Sequence, residues 1–171
     1  SKHQISLTAF GSPQTHNQRK PLYAGLSIEE WNNVAKWTGE KNKYRYNAIY
    51  GFDNNGKERS SMTNHYHKPQ ISLNHQWQID YKSSLSTALY MSIGRGGGYS
   101  GQGRTSSDRS MWNGSNNGIL RYDFRKADGT FDYGAIQDLN AASEDGSKVV
   151  MSDSKNNHMW YGLLSTYTNQ I

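Results

Sequence analysis

Residues 69 to 93 alternate between apolar and polar side chains, and this alternation constrains the fold more than any other feature. From residue 69 to 80 the odd positions are mostly apolar and the even positions are polar. After a polar break at 81–83 the alternation continues to residue 93. A period of two is typical of β-strands, whose successive side chains point to opposite faces of a sheet. The segment therefore predicts a long antiparallel hairpin with a short turn.

The apolar face of this hairpin is expected to combine side chains from both strands. The main apolar residues are Ile71, Leu73, Trp77, Leu85, Leu89 and Met91. Polar residues dominate the opposite face, so the two faces of the sheet should meet different surroundings.

Further strand-like segments near both ends of the chain bring the total to about four strands, near 2–10, 66–80, 84–94 and 157–170. The connections, 11–62 and 96–155, are much longer than the usual loop of a compact domain. The first contains one short helix predicted over 27–37, with Ser27 as its N-cap and Glu30 completing a capping box. In the second, residues 119–125 and 128–136 predict short strands or a hairpin.

The stretch GRGGGYSGQGRT, residues 94–105, fits G-x-G-x-x-G and is one residue away from a P-loop. Both motifs need a helix after the glycines to hold a phosphate. The next residues, 106–118, are rich in Ser, Asn and Gly and have no helical periodicity. We therefore interpret 96–98 as the point where the third strand leaves the sheet, close to residue 94, and do not predict a nucleotide site.

The composition excludes several classes of protein. Only 33% of the residues are hydrophobic and there is no continuous apolar run long enough for a membrane helix. Because the chain has no cysteine, disulfides and thiolate metal sites are excluded. The net charge is +5, but the basic residues are spread along the chain without a basic run. The charge therefore does not indicate where a nucleic-acid-binding surface would lie.

Long strands joined alternately by a short turn and by very long loops are typical of outer-membrane β-barrels. In such a barrel the apolar residues of each strand face lipid and the polar residues face the lumen. A soluble β-sandwich remains open at this point, because it would solvate the polar face and bury the apolar face under a second sheet.

Three segments resemble the barrel of TonB-dependent outer-membrane receptors, particularly the Bacteroidetes type. They are ISLTAFGSPQTHNQR (5–19), NHYHKPQISLNHQWQI (64–79) and SLSTALYMSIGRGGGYSG (84–101). The resemblance covers about half of the chain. It implies an all-β fold, an antiparallel transmembrane β-barrel segment of about four strands within a 22-stranded barrel. Residues 1–171 are then expected to be one partial β-barrel domain, a segment of a larger protein.

The resemblance also implies a function and a location. Such receptors lie in the cell outer membrane of Gram-negative bacteria and import a nutrient, such as a metal chelate, a glycan or a peptide, with energy supplied by TonB. The expected partners are outer-membrane lipid, the nutrient, TonB and a surface lipoprotein. TonB acts through an N-terminal plug, and no plug or TonB box is recognisable in this sequence.

Ligand-binding residues are expected in the loops and at the barrel mouth. They are Gln14, His16, Arg19, Trp31, Trp37, Arg95 and Tyr99. The polar residues after the first strand would hydrogen-bond a ligand, or else hold neighbouring backbone. The two tryptophans, with nearby tyrosines, would stack on a flat ligand or form a small core for their own loop.

No catalytic or cofactor site is predicted. His65 and His67 lie on one strand face but have no third metal ligand in the sequence. The stretch DNNGKE, 53–58, resembles a calcium loop and lacks the ligand expected at Lys57. Carboxylates, histidines and serines form no recognised catalytic motif, so an enzyme is not predicted.

Two other functions stay open. A soluble β-sandwich that binds carbohydrate would fit the low charge and the aromatic loops. It requires the apolar strand faces to be buried, so exposure of Ile71, Leu73, Leu89 and Met91 would count against it. A nucleic-acid-binding protein with basic loops is the weaker alternative, and our interpretation includes no nucleic-acid partner.

Overall fold

The structure is a computed structural model that describes residues 2–19 and 25–170. Strands make up 49% of the chain and helices 19%, so the mostly β, antiparallel character is confirmed. The prediction of one short helix is wrong, because the described residues form three α-helices and a 3-10 helix.

The strands are β1 (His3–Phe10), β2 (Gln14–Asn17), β3 (Tyr50–Phe52), β4 (Glu58–Ser60), β5 (Met62–His67), β6 (Gln70–Gln78), β7 (Ser83–Gly103), β8 (Ser115–Asn116), β9 (Ile119–Leu120), β10 (Phe131–Asp132), β11 (Val149–Lys155) and β12 (His158–Asn169). The helices are α1 (Ile28–Thr38), α2 (Ser106–Ser110) and α3 (Tyr133–Ala141), with the 3-10 helix at Glu40–Arg45.

The chain divides into two compact units. The sheet unit contains the described residues 2–15, 65–97 and 155–170. The helical unit contains 16–19, 25–64 and 98–154, and it holds all the helices just named.

The sheet unit contains the predicted hairpin. Strands β6 and β7 pair antiparallel, with Leu73 opposite Leu89. Strand β1 pairs with the other side of β6, and β12 pairs with β7, which gives the neighbour order β1, β6, β7, β12. The turn after β6 is held by Asp80, whose Oδ1 accepts hydrogen bonds of 2.8 Å from the amides of Lys82 and Ser83.

The prediction that the third strand ends near residue 94 is wrong. Strand β7 continues to Gly103, so the glycines of 96–98 lie inside a strand. Glycine usually weakens a strand, but here it leaves room for a neighbouring side chain. A Cβ on Gly94 would lie 2.3 Å from the ring of His158, and one on Gly101 would lie 2.1 Å from that of Trp112.

The predicted strand 66–80 and the two predicted loops also need correction. Two strands, β5 and β6, replace the single one, separated at Lys68 and Pro69. Proline has no amide hydrogen for a sheet, which explains a break there. The spans 11–62 and 96–155 contain several short strands and the three α-helices instead of irregular loop.

Helix α1 matches the predicted helix, but its capping box is incomplete. The Ser27 side chain accepts a 3.2 Å hydrogen bond from the amide of Glu30, as an N-cap does. The Glu30 carboxylate does not close the box, because the Ser27 amide donates to the Gly118 oxygen at 2.9 Å. Glu30 instead accepts a 2.7 Å bond from the Tyr122 hydroxyl. This bond joins a buried carboxylate to an exposed tyrosine and links the helix to the segment after β9.

Helix α3 replaces part of a predicted strand. Within 128–136 only Phe131–Asp132 is β, and the helix begins at Tyr133. Asp132 causes the change, because its side chain accepts a 3.1 Å hydrogen bond from the amide of Ala135 and so caps the helix.

Two hydrophobic clusters form the core of the helical unit. One is built from Trp112, Phe124, Phe131, Tyr133, Ile136 and Val149. The other has Val34, Ala48 and Leu120 at its centre, with Leu26, Trp31, Trp37 and Tyr46 packed around it. These clusters give the helical unit a buried interior of its own.

We expect Gly129→Ala to destabilise the helical unit by about 2–3 kcal/mol. Gly129 has a φ of +84°, and an added Cβ would lie 2.4 Å from the Trp37 ring. Gly56→Ala is the matched control, because Gly56 also has a positive φ, +72°, with no atom within 4 Å of the added Cβ. Urea unfolding followed by tryptophan fluorescence should show the larger loss for Gly129→Ala. Equal losses of stability in the two variants would mean that the clash with Trp37 adds nothing to the cost of the positive φ.

Candidate functional site

An apolar face crosses the four neighbouring strands of the sheet unit. Directly paired residues lie on the same face of a sheet, so the registers define rows across the strands. One row consists of four leucines, Leu7, Leu73, Leu89 and Leu163. Adjacent rows on the same face carry Ala9, Ile71, Met91 and Tyr161 on one side and Ile5, His75, Thr87 and Ser165 on the other.

This apolar face is exposed. Leu73 and Leu89 are 41% and 50% exposed, and Leu7 and Leu163 are more exposed still. Among the described residues, every buried hydrophobic side chain belongs to the helical unit. Within residues 2–19 and 25–170, the sheet unit therefore contains no buried hydrophobic side chain of its own.

The side chains predicted to face lipid share this one face. Ile71, Leu73, Leu89 and Met91 are exposed on it, and Trp77 and Leu85 are partly buried. Trp77 stacks on His3, with ring centroids 5.4 Å apart, at the end of the sheet nearest the short turn.

The opposite face of the same four strands is mostly polar. Its rows contain Thr8, Ser72, Tyr90 and Gly162, then Ser6, Asn74, Ala88 and Leu164, then Gln4, Gln76, Ser86 and Thr166. At the end far from the turn, Tyr90 and Trp160 meet edge to face with ring centroids 5.3 Å apart. They line a cavity of about 260 Å³ with Phe10.

The three residues predicted at the barrel mouth, Gln14, His16 and Arg19, are described and exposed. Gln14 is on β2 and accepts a hydrogen bond from the Tyr66 hydroxyl within the sheet unit. His16 is on the same strand in the helical unit. Arg19 precedes residues 20–24, which lie outside the described part of the chain.

The other predicted ligand residues separate into two groups. Arg95 and Tyr99 are exposed on β7. Trp31 and Trp37 pack against the core around Val34, which is the alternative considered for them from the sequence. Their rings contact tyrosines, with Trp31 5.2 Å from Tyr44 between centroids.

A cleft of about 380 Å³ lies within the helical unit and was not predicted. Thr38, Asn42, Arg45, Tyr46, Asn47, Tyr50, Asp128, Gly129 and Thr130 line it. They come from the end of α1, the 3-10 helix with the residues after it, and the turn at 128–130. From the sequence, the two tyrosines and the turn at 128–130 belong to different predicted loops, 11–62 and 96–155. Their proximity could not be predicted, because about 80 residues separate them in the chain.

Arg125 is not part of the cleft lining but holds two lining residues, Tyr46 and Gly129, by hydrogen bonds. Its guanidinium and Nε donate to the backbone oxygens of Ala48 (3.0 Å), Gly114 (2.8 Å), Gly129 (3.0 Å) and Arg121 (3.1 Å). It also donates to the Tyr46 hydroxyl, which in turn donates to the Gly129 oxygen at 2.7 Å. Arg125 therefore ties four separate backbone positions to one side chain.

Burial raises the pKa of Tyr46 to about 12, although the charge of Arg125 opposes the rise. Unfolded tyrosine loses its proton near pH 10, so between pH 10 and 12 the unfolded chain binds fewer protons than the folded chain. Stability should therefore fall by about 1 kcal/mol per pH unit over this range because of Tyr46. Burial raises the pKa of Tyr133 as well, which adds to the fall.

We expect Tyr46→Phe to remove the Tyr46 part of this alkaline loss. Urea unfolding at pH 8, 10 and 11.5, followed by tryptophan fluorescence, should show a shallower decline for the variant. Tyr44→Phe is the control, since Tyr44 is 64% exposed and should leave the decline unchanged. An identical decline in wild type and Tyr46→Phe would contradict the assignment.

The stretch resembling a calcium loop is a hairpin turn between β3 and β4. Asp53 is 3% exposed, and its Oδ1 accepts from the amides of Asn55 and Lys57 at 2.9 and 3.0 Å. Its Oδ2 accepts from Arg59 Nε at 2.9 Å. These bonds, led by the one from Lys57, lower the pKa of Asp53. Both carboxylate oxygens thus hold the turn.

The described residues contain no group of three or more His, Cys, Asp or Glu side chains arranged to hold a metal ion. Of the helices in the described part of the chain, none combines the length and the apolar composition that crossing a membrane would need.

Comparisons of this chain with protein-family models, with curated proteins and with solved structures gave no match.

Proposed function

We propose that this chain is part of the barrel of a TonB-dependent outer-membrane receptor, as the resemblance of its three strand segments implies. The observation that carries the proposal is the exposed apolar face across β1, β6, β7 and β12. The opposite face of the same four strands is mostly polar. A barrel in lipid needs this arrangement, because its outer face meets hydrocarbon and its inner face meets water.

The height of the apolar face supports the proposal. On β7 it extends from Leu85 to Ile93, which is about 27 Å along a strand. Strands tilted by about 40° would make this roughly 21 Å along the membrane normal, close to the ~25 Å apolar band of such barrels.

The row nearest the short turn adds further support. It consists of His3, Trp77, Leu85 and Tyr167. Aromatic and amphipathic side chains are enriched where a membrane meets water, and the short turns of these barrels lie at the periplasmic side. Trp77 and Tyr167 would then lie at the periplasmic interface.

Strands β1 and β12 are the outer strands of the four, and each pairs along one side only within the described residues. An open edge in hydrocarbon leaves backbone groups without hydrogen bonds. In the proposed barrel, further strands pair with both edges.

The proposed function is import of a nutrient, namely a metal chelate, a glycan or a peptide. By resemblance, the outer loops capture the ligand and TonB drives rearrangement of the plug, which is supplied outside this sequence. Outer-membrane lipid, and a surface lipoprotein, are the other proposed partners.

Cell fractionation tests the proposal with the protein as the cell makes it. We expect the protein in the outer-membrane fraction and expect it to need detergent to become monodisperse. Recovery as a monodisperse protein in plain buffer would refute the barrel. A soluble carbohydrate-binding sandwich, the alternative, is less well supported, because Ile71, Leu73, Leu89 and Met91 are exposed.

A further inference from the structure

We infer that the cleft of the helical unit binds one unit of an uncharged carbohydrate. The inference rests on the proposed function in one respect, because it names the class of nutrient that the receptor would capture. The size, the polar groups and the rigidity of the cleft support it independently of the barrel.

The cleft has the size of a small binding site. Its volume of about 380 Å³ lies at the lower end of the roughly 300–1,000 Å³ typical of small-molecule sites. It is therefore suited to a sugar unit or two of a longer chain and is too small to enclose a large macrocyclic chelate.

Its polar groups suit a ligand with many hydroxyls. Oδ2 of Asp128 and the Arg45 guanidinium have no hydrogen-bond partner among the described residues, although Oδ1 of Asp128 accepts from Thr130. Asn42 adds an amide, whose Nδ2 makes only a long 3.5 Å bond to the Thr38 oxygen. Carboxylate, guanidinium and amide groups together offer both donors and acceptors, as neighbouring hydroxyls require.

The charge of the cleft argues against an ionic ligand. One cation, Arg45, and one anion, Asp128, are the charged residues in its lining. A phosphate or acidic sugar would favour several cations, and a metal ion would need more carboxylates. The balance favours an uncharged ligand.

Two tyrosines supply apolar surface for the C–H faces of a sugar. Tyr46 contributes the part of its ring that lines the cleft, beside its contacts with Trp37 at 5.9 Å and with the Arg125 guanidinium at 5.7 Å. Tyr50 belongs to the same lining. Aromatic rings give large contact area with few rotatable bonds, so binding costs little side-chain entropy.

The walls of the cleft are held in place before any ligand arrives. Asn47 donates to the Gln18 oxygen at 3.2 Å, and the Asp128 side chain accepts from the amide and the hydroxyl of Thr130 at 2.9 and 2.7 Å. A preorganised site avoids part of the entropic cost of binding.

Isothermal titration calorimetry of the detergent-solubilised protein, as the cell makes it, tests the inference with four probes. We expect at least one of the neutral trisaccharides maltotriose, cellotriose and xylotriose to bind. The acidic trisaccharide trigalacturonate should bind at least tenfold more weakly than the neutral trisaccharide that binds best. Arg45→Ala and Asp128→Asn should each weaken the binding at least tenfold. Asp128→Asn keeps the oxygen that Thr130 contacts, so the turn should survive.

Lys41→Ala is the matched control, because Lys41 is exposed and outside the cleft lining. Binding of no neutral probe, equal binding of trigalacturonate, or unchanged binding in both cleft variants would overturn the inference. A protein that fractionates with the outer membrane but fails this test would disprove the carbohydrate site alone. A protein that binds the sugar but is monodisperse in plain buffer would disprove the barrel alone.

Discussion

Leu73→Arg is expected to destabilise the membrane-inserted protein by about 2–4 kcal/mol. Leu73 belongs to the row of four leucines and is 41% exposed on the apolar face. In the proposed barrel this row lies within the hydrocarbon, where a guanidinium loses its hydration. Urea unfolding of the protein in lipid vesicles, followed by protease resistance, measures the loss.

Asn74→Arg is the matched control for this change. Asn74 is the next residue along β6, at nearly the same height, and lies on the polar face. We expect Asn74→Arg to lower the free energy of unfolding by less than about 1 kcal/mol, because a charge that faces the lumen stays in water. Equal losses for the two variants, or a larger loss for Asn74→Arg, would contradict the assignment of faces.

Arg125→Met should destabilise the helical unit by about 3–5 kcal/mol. The variant removes the donor of the Ala48 oxygen and one of two donors from each of the Gly114 and Gly129 oxygens. The Gly114 oxygen keeps the Arg121 amide, and the Gly129 oxygen keeps the Tyr46 hydroxyl. Since a folded domain is stable by only about 5–15 kcal/mol, this loss removes much of the total. Urea unfolding followed by tryptophan fluorescence measures this loss in the free energy of unfolding.

Arg109→Met is the control for Arg125→Met, because Arg109 is exposed on α2. It should change stability by less than about 0.5 kcal/mol. Arg125→Lys tests the geometry, since one ammonium group cannot reach all four oxygens, and we expect it to recover only part of the loss. A loss below 1 kcal/mol for Arg125→Met would show that the bonds are dispensable.

The hairpin and its apolar face could be predicted because they depend on a local pattern. A period of two fixes which side chains share a face, and the polar break at 81–83 fixes the turn, so Leu73 and Leu89 were assigned to one face. The helix over 27–37 was predictable for the same reason, since Ser27 and the spacing after it are a local signal.

The helical unit and the glycine segment could not be predicted in this way. Gly101 lies under Trp112 because of tertiary packing, and no local pattern distinguishes that role from a strand end. The cleft depends on the contact between Tyr46 and Gly129, which are 83 residues apart in the chain. Two local signals were overlooked, and both are N-caps. Asp132 lies within a segment interpreted as β, and Thr105 forms a capping box with Asp108 at the start of α2, just after the glycine stretch.

Spin labels on adjacent residues of β7 give the most direct test of the central claim, that the apolar face lies against lipid. This chain has no cysteine, so Leu89→Cys and Ala88→Cys each place one nitroxide on opposite faces at nearly one height. In vesicles we predict that the label at residue 89 is relaxed by oxygen dissolved in the lipid and protected from a water-soluble nickel complex. The label at residue 88 should show the reverse. Relaxation of both labels by the nickel complex would contradict the claim.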